Sequence, residues 1–143
     1  MVIGSSKAGC GGVLRNNRGE WVIGYTKVIG VCDACSAEEW AVLEGLKLAW
    51  DFGVKNVILE SDAQELIRRI TAPSSHPGSL LFEQIRKMLR REWQVNLRYI
   101  PREINRLADA LAKLGISRTA VLGNCPARLA TWLEQDALGF ISY

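Results

Sequence analysis

Apolar and polar residues fall in short blocks whose period changes along the chain. Val57–Asp62, VILESD, opens with three apolar residues, two of them β-branched, as in a strand buried on both faces of a parallel sheet. The run then stops in Glu60, Ser61 and Asp62. Side chains alternate along a strand, so Glu60 and Asp62 share a face. Asp62 falls at the carboxyl edge, where open α/β sheets gather ligands. Upstream, residues 9–15 and 20–25 flank Asn-Asn-Arg-Gly at 16–19 and predict an antiparallel hairpin, with Lys27–Val31 extending or following its second strand. Ser36 to about Phe52 reads as a helix, with Ser36 as N-cap, Glu39 as capping-box partner and Gly53 as its close. Ala63–Ile70 and Leu80–Glu92 follow as helices, separated by a Pro-, Ser- and Gly-rich loop at Thr71–Ser79. Val95, Leu97 and Tyr99 alternate with Asn96 and Arg98, an edge-type strand that Pro101 ends. Glu103–Leu114 is the last core helix; its Leu107, Leu111 and Leu114 turn inward while Asn105 and Asp109 share another face. Beyond Gly115 a linker and a short helix, Ala127–Ala137, are expected, with Leu129, Trp132 and Leu133 as the packing face.

The 143 residues suit one domain, and 48% hydrophobic content is enough for a real core. No apolar run approaches the roughly 18 residues of a spanning helix. The amino terminus lacks the apolar segment of a secretory signal, so cytosol or nucleus is the default expectation. Cys32 and Cys35 have the C-x-x-C spacing, but Cys10 and Cys125 lie far off and the single histidine, His76, sits in a loop. Buried reduced thiols are the better expectation than zinc.

Net charge is +3 but unevenly placed. Residues 1–18 carry three cations and no acid, 19–62 three cations against eight acids, and 63–113 ten cations against five acids. An acidic middle with basic flanks suits an enzyme that gathers cations and faces a polyanion, although ordinary solvated helix faces produce similar runs. Arg86, Lys87, Arg90 and Arg91 on the third helix are candidates for phosphate contact or for a solubilising face.

Carboxylates from a helix start, a strand end and a late helix are the donor set of divalent-metal phosphoryl chemistry, because Mg²⁺ is hard and prefers oxygen. Periodicity leaves the helix member open between Glu38 and Glu39, both of which fall in the expected first turn. Asp62 has a second reading as N-cap of the helix after it, with Glu65 completing the box. No Ser-His-Asp set is apparent around the single histidine, and the glycines at 9, 11 and 12 lack the ending of a phosphate-binding P-loop.

Four motifs occur in order: GCGGVLR-x-x-x-G-x-W at 9–21, A-E-x-W-A-x-L-x-G-L at 37–46, ESD at 60–62 and RE-x-N-x-x-ADALA at 102–112. Together with the tail at 125–139 they resemble the ribonuclease H-like domains of plant non-LTR retroelements, the reverse-transcriptase-like group. The resemblance implies an α/β, ribonuclease H-like mixed sheet flanked by helices, with residues 1–115 as the domain and 116–143 as linker and short helix. It implies cleavage of the RNA strand of an RNA–DNA hybrid with Mg²⁺ or Mn²⁺; a monomer is the separate default expectation. The A-E-x-W register then selects Glu38, ESD selects Asp62 and ADALA selects Asp109 as catalytic metal ligands. Asn105 would support Asp109 or a metal-bound water, Gln64 would touch the hybrid's minor groove, and Arg102 a phosphate. The family also carries an earlier Asp-Gly on a central strand; here the first acid is Glu20, and that strand is expected to be missing or truncated. Its loss would open two strand edges. Slow or absent cleavage by this chain is therefore expected. The alternatives are a catalytically dead remnant that binds nucleic acid, or a structural protein that docks a partner through its Trp132 tail.

Overall fold

The computed structural model describes residues 6–32, 34–72, 78–104, 106–116, 118–129 and 141–142. Its first unit is the hairpin of β1 (Ser6–Arg15) and β2 (Trp21–Cys32), paired antiparallel with irregularities after Ala8 and Leu14. The Asn16 side chain accepts from the Arg18 and Glu20 amides at 2.9 and 3.0 Å, and Gly19 takes φ +77°, a left-handed value that suits glycine. Lys27–Val31 extends β2, as one of the two expectations had it.

After α1 (Ala34–Asp51) comes β3 (Asn56–Ser61), then α2 (Gln64–Thr71), α3 (Leu80–Leu89) and β4 (Gln94–Tyr99). β3 and β4 are parallel, and β4 lies at the sheet edge as its alternation predicted. A 3-10 turn, Arg102–Ile104, precedes α4 (Arg106–Leu114). Within the expected linker, β5 (Ala120–Leu122) pairs with β2, and a 3-10 turn at Ala127–Leu129 stands where the short helix was expected to begin. The rest of the expected helix, with Trp132 and Leu133, lies outside the described residues. A final pair, β6 (Ile141–Ser142), completes the order β4-β3-β6-β1-β2-β5. It runs parallel to β1 at Leu14 and Arg15 and antiparallel to β3 at Ile58 and Leu59. The two edges that the sequence left open are thus joined, at those residues, by chain from the carboxyl end.

The sheet is covered on both faces. Tyr25 donates its hydroxyl to the Ala41 carbonyl of α1 at 2.9 Å. Its neighbour Thr26 points to the opposite face and donates to the Arg118 carbonyl at 2.8 Å. On that face α4 lies close against β1. A Cβ on Gly11 would stand 2.5 Å from the backbone carbon of Leu111, and one on Gly9 would collide with Gly115. The GCGG run therefore makes room for a helix. Between the layers Leu14, Leu43, Leu46, Leu59, Leu107 and Leu111 are fully buried, each contributing about 1.5–3 kcal/mol of apolar transfer.

Charged groups are also taken into this interior, Arg15, Glu39 and Glu60 among them. Glu60 is 1% exposed, and its Oε2 finds no hydrogen-bond partner among the described residues. Burial pushes its pKa up to about 7 despite the opposing charges of Arg98 and Arg15. Arg98, its register partner on β4, stands 3.8 Å away.

The folded chain binds the Glu60 proton more tightly than the unfolded chain does, so this protonation stabilises fully below about pH 4.5 and is lost as pH rises through about 7. The expected loss is on the order of 3 kcal/mol. Urea-unfolding midpoints should fall over this window, and Glu60→Gln should flatten the fall. Gly11→Ala should cost about 1–3 kcal/mol by pushing α4 off β1, read as a lower midpoint with unchanged slope.

Candidate active site

The carboxyl end of β3 is placed by its pairing with β4. Ser61 lies opposite Tyr99, and Ile100 then donates its amide to the Ser61 carbonyl at 2.9 Å. Ser61 is buried, and its hydroxyl accepts from the Ala63 amide at 3.0 Å, fastening the turn into α2. Asp62 is released from that task. The N-cap position of α2 belongs to Ala63, which makes no side-chain cap, and Glu65 pairs with Arg68 instead of closing a box. The capping explanation for Asp62 therefore fails, and its half-buried carboxylate faces outward at the sheet edge.

α1 begins at Ala34, two residues before the expected N-cap, so Glu38 and Glu39 lie in its second turn and the first contains no acid. The dipole argument for either residue is weaker than the sequence suggested. Their environments now separate them. Glu39 is buried, and its carboxylate accepts from the Ser79 hydroxyl at 2.6 Å. Ser79 in turn caps α3 by accepting from the Phe82 amide at 3.1 Å. Glu39 thus fastens α1 to the start of α3, where periodicity offered no sign of a partner. Glu38 is exposed and faces the Asp62 neighbourhood. Desolvation of its carboxyl, and then the Asp62 charge, raise its pKa, while Arg102 lowers it.

Arg102 joins the set. Its Nε donates to Asp62 Oδ2 at 3.2 Å. That bond and the Asp62 charge hold the guanidinium above its usual pKa, with Asp109 and Glu38 adding to the effect. One cation thus feels all three acids nominated from the sequence. Asp109, in the first turn of α4, also pairs with Lys113 at 3.2 Å. Among the described residues, however, no three carboxylate, histidine or cysteine side chains come close enough to hold one metal ion. Gln64 is exposed at the start of α2, beside Asp62 in the chain; Asn105 lies outside the described residues. Of the cations on α3, Arg86 is half-buried over the Phe82 ring and pairs with Glu83, so it is not the outward charge expected. Arg91 stacks on Trp50.

Several known proteins are similar to this chain in sequence or fold. The reverse transcriptase-like family matches residues 2–115. A curated Arabidopsis thaliana protein named "Putative ribonuclease H protein At1g65750" is 36% identical over 137 residues, covering 92% of this chain. The chain spans only 22% of that protein's length. Among solved structures, RNase H1 from the halophilic archaeon Halobacterium salinarum NRC-1 superposes with a TM-score of 0.73 at 26% identity, over 81% of this chain and 90% of the other. The N-terminal RNase H domain of Rv2228c from Mycobacterium tuberculosis, solved as a fusion with maltose-binding protein, gives 0.72 at 19% identity, over 80% and 86%. The second likeness bears on the fold alone. With four motifs in order and a mixed sheet that matches these structures, the chain belongs to the reverse transcriptase-like family and has the ribonuclease H fold.

Proposed function

We propose that this domain binds an RNA–DNA hybrid across the carboxyl edge of β3 and hydrolyses its RNA strand with Mg²⁺ or Mn²⁺, slowly at most, because the earlier Asp-Gly carboxylate of the family has no counterpart before Glu20. The observation that carries this reading is the meeting of Glu38, Asp62 and Arg102 at that edge, with Asp109 in electrostatic reach of the same guanidinium. The donor set fits a hard divalent cation, since Mg²⁺ is commonly bound by one or two carboxylates together with waters and phosphate oxygens. Glu38 and Asp62 would hold it, with Asp109 close by. Such a cation supplies water activation and charge neutralisation at the phosphodiester. The chain's own groups do the positioning. Arg102, exposed and forked, suits a phosphate of the hybrid, and Gln64 suits the minor groove, where 2′-hydroxyls mark the RNA strand. The names of the relatives, each an RNase H or a ribonuclease H protein, support the same substrate class.

A second reading, hybrid binding without cleavage, draws on one specific observation: among the described residues no group of three carboxylate, histidine or cysteine side chains could hold a metal ion.

One assay separates the two. Purified protein is given an end-labelled RNA–DNA hybrid with Mg²⁺ or Mn²⁺, beside single-stranded RNA and duplex DNA. Hydrolysis confined to the hybrid, and reduced about a hundredfold or more by Asp62→Asn, is the result expected of the nuclease. Salt-sensitive retention of intact hybrid identifies the binding module. The two glutamates provide a further contrast. Glu38→Gln should weaken cation-dependent hybrid binding and leave thermal stability nearly unchanged, because it removes an exposed carboxylate beside another. Glu39→Ala should cost about 1–2 kcal/mol of stability through loss of its bond to Ser79, measured by urea unfolding.

A further inference from the structure

Arg102 reaches its place by a short route. The Ile100–Ser61 backbone bond clamps the chain leaving β4 against the end of β3. Pro101 follows, and the 3-10 turn begins at Arg102 itself. Little slack separates the clamp from the guanidinium, so its approach to Asp62 is set by the sheet. The side chain nevertheless remains 77% exposed, and a single hydrogen bond of 3.2 Å holds it to a carboxylate that is 25% exposed. Exposed ties of this type shift an equilibrium by only a few-fold. They are made and broken easily.

The neighbouring cations are committed elsewhere. Lys113 pairs with Asp109 at 3.2 Å, and Arg98 faces buried Glu60 at 3.8 Å. Among the described residues Arg102 is the cation paired with Asp62. A metal ion arriving at that carboxylate must compete with it. A guanidinium fork also matches phosphate oxygens as well as it matches a carboxylate. Nucleic acid therefore offers Arg102 another partner within reach of side-chain rotation.

Resting on the metal-dependent reading above, we propose that Arg102 is a resident counter-ion of Asp62 that exchanges with a divalent cation, and that nucleic acid promotes the exchange by drawing the guanidinium onto a phosphate. Arg102 is then a positioning residue with two partners. Before substrate arrives it offsets the repulsion between Glu38 and Asp62; afterwards it holds the backbone and leaves the carboxylates to the metal. Such an exchange makes metal and nucleic acid reinforce each other, and equilibrium linkage requires the effect to be reciprocal.

The test is Mn²⁺ affinity, measured by electron paramagnetic resonance on the full chain as wild type, Arg102→Gln, Arg102→Lys and Asp62→Asn. Each is measured alone and with a short RNA–DNA duplex, corrected for the Mn²⁺ that the duplex holds by itself. Without duplex, Arg102→Gln should bind Mn²⁺ about three- to fivefold more tightly than wild type, with Arg102→Lys between them. Duplex should tighten Mn²⁺ binding by wild type several-fold more than by Arg102→Gln, which keeps only the gain from phosphate oxygens on the ion. Equal or weaker binding by Arg102→Gln, while wild-type binding still depends on Asp62, overturns the exchange and spares the metal site. Wild-type binding that Asp62→Asn does not weaken, or no binding at all, overturns the metal site and the exchange with it.

Discussion

Like charges gather in a folded chain only where something offsets their repulsion, and at the carboxyl edge of β3 that is done by one arginine. Arg102 is bonded to Asp62 and feels Glu38 and Asp109. Each of these side chains comes from a different part of the chain: the second turn of a helix, the end of a strand, the first turn of a later helix and the turn before it. The fold can be understood as the apparatus that delivers them. Parallel pairing of β3 with β4 carries Arg102 to Asp62. The glycines of β1 let α4, and Asp109 with it, lie against the sheet.

The apparatus is stiff where it must be. Glu39, buried beside the exposed Glu38, ties α1 to the N-cap of α3 through Ser79. Adjacent acids on one helix thus do opposite work, one inside and one out. Ser61 and Asp62 divide labour in the same way, since the serine fastens the turn into α2 and frees the aspartate. Glu60, two residues before Asp62, is enclosed with no hydrogen-bond donor for Oε2 among the described residues, and burial raises its pKa. An acid-rich strand end serves here both as interior and as exposed edge, with the boundary between them one residue wide.

Much of this was legible beforehand. Periodicity located the hairpin, the four α-helices among the described residues and the edge strand, because each buries a face whose repeat is local. It failed where the determinant was a distant partner. The cap read at Asp62 does not form, because Ala63 takes the N-cap position of α2, and α1 starts two residues before the N-cap read at Ser36. Short β5 and β6 carry too few residues to show a period, and both depend on edges built by other segments.

From residue order alone came the acids themselves, their distribution among helix start, strand end and late helix, and the four motifs that mark the family. Those are properties of composition and spacing, and they survive without coordinates. Which glutamate faces outward, which cation sits on Asp62, and what joins β1 to β3 were decided by tertiary structure. Each is a contact between residues far apart in the chain, and no local preference encodes a partner's position.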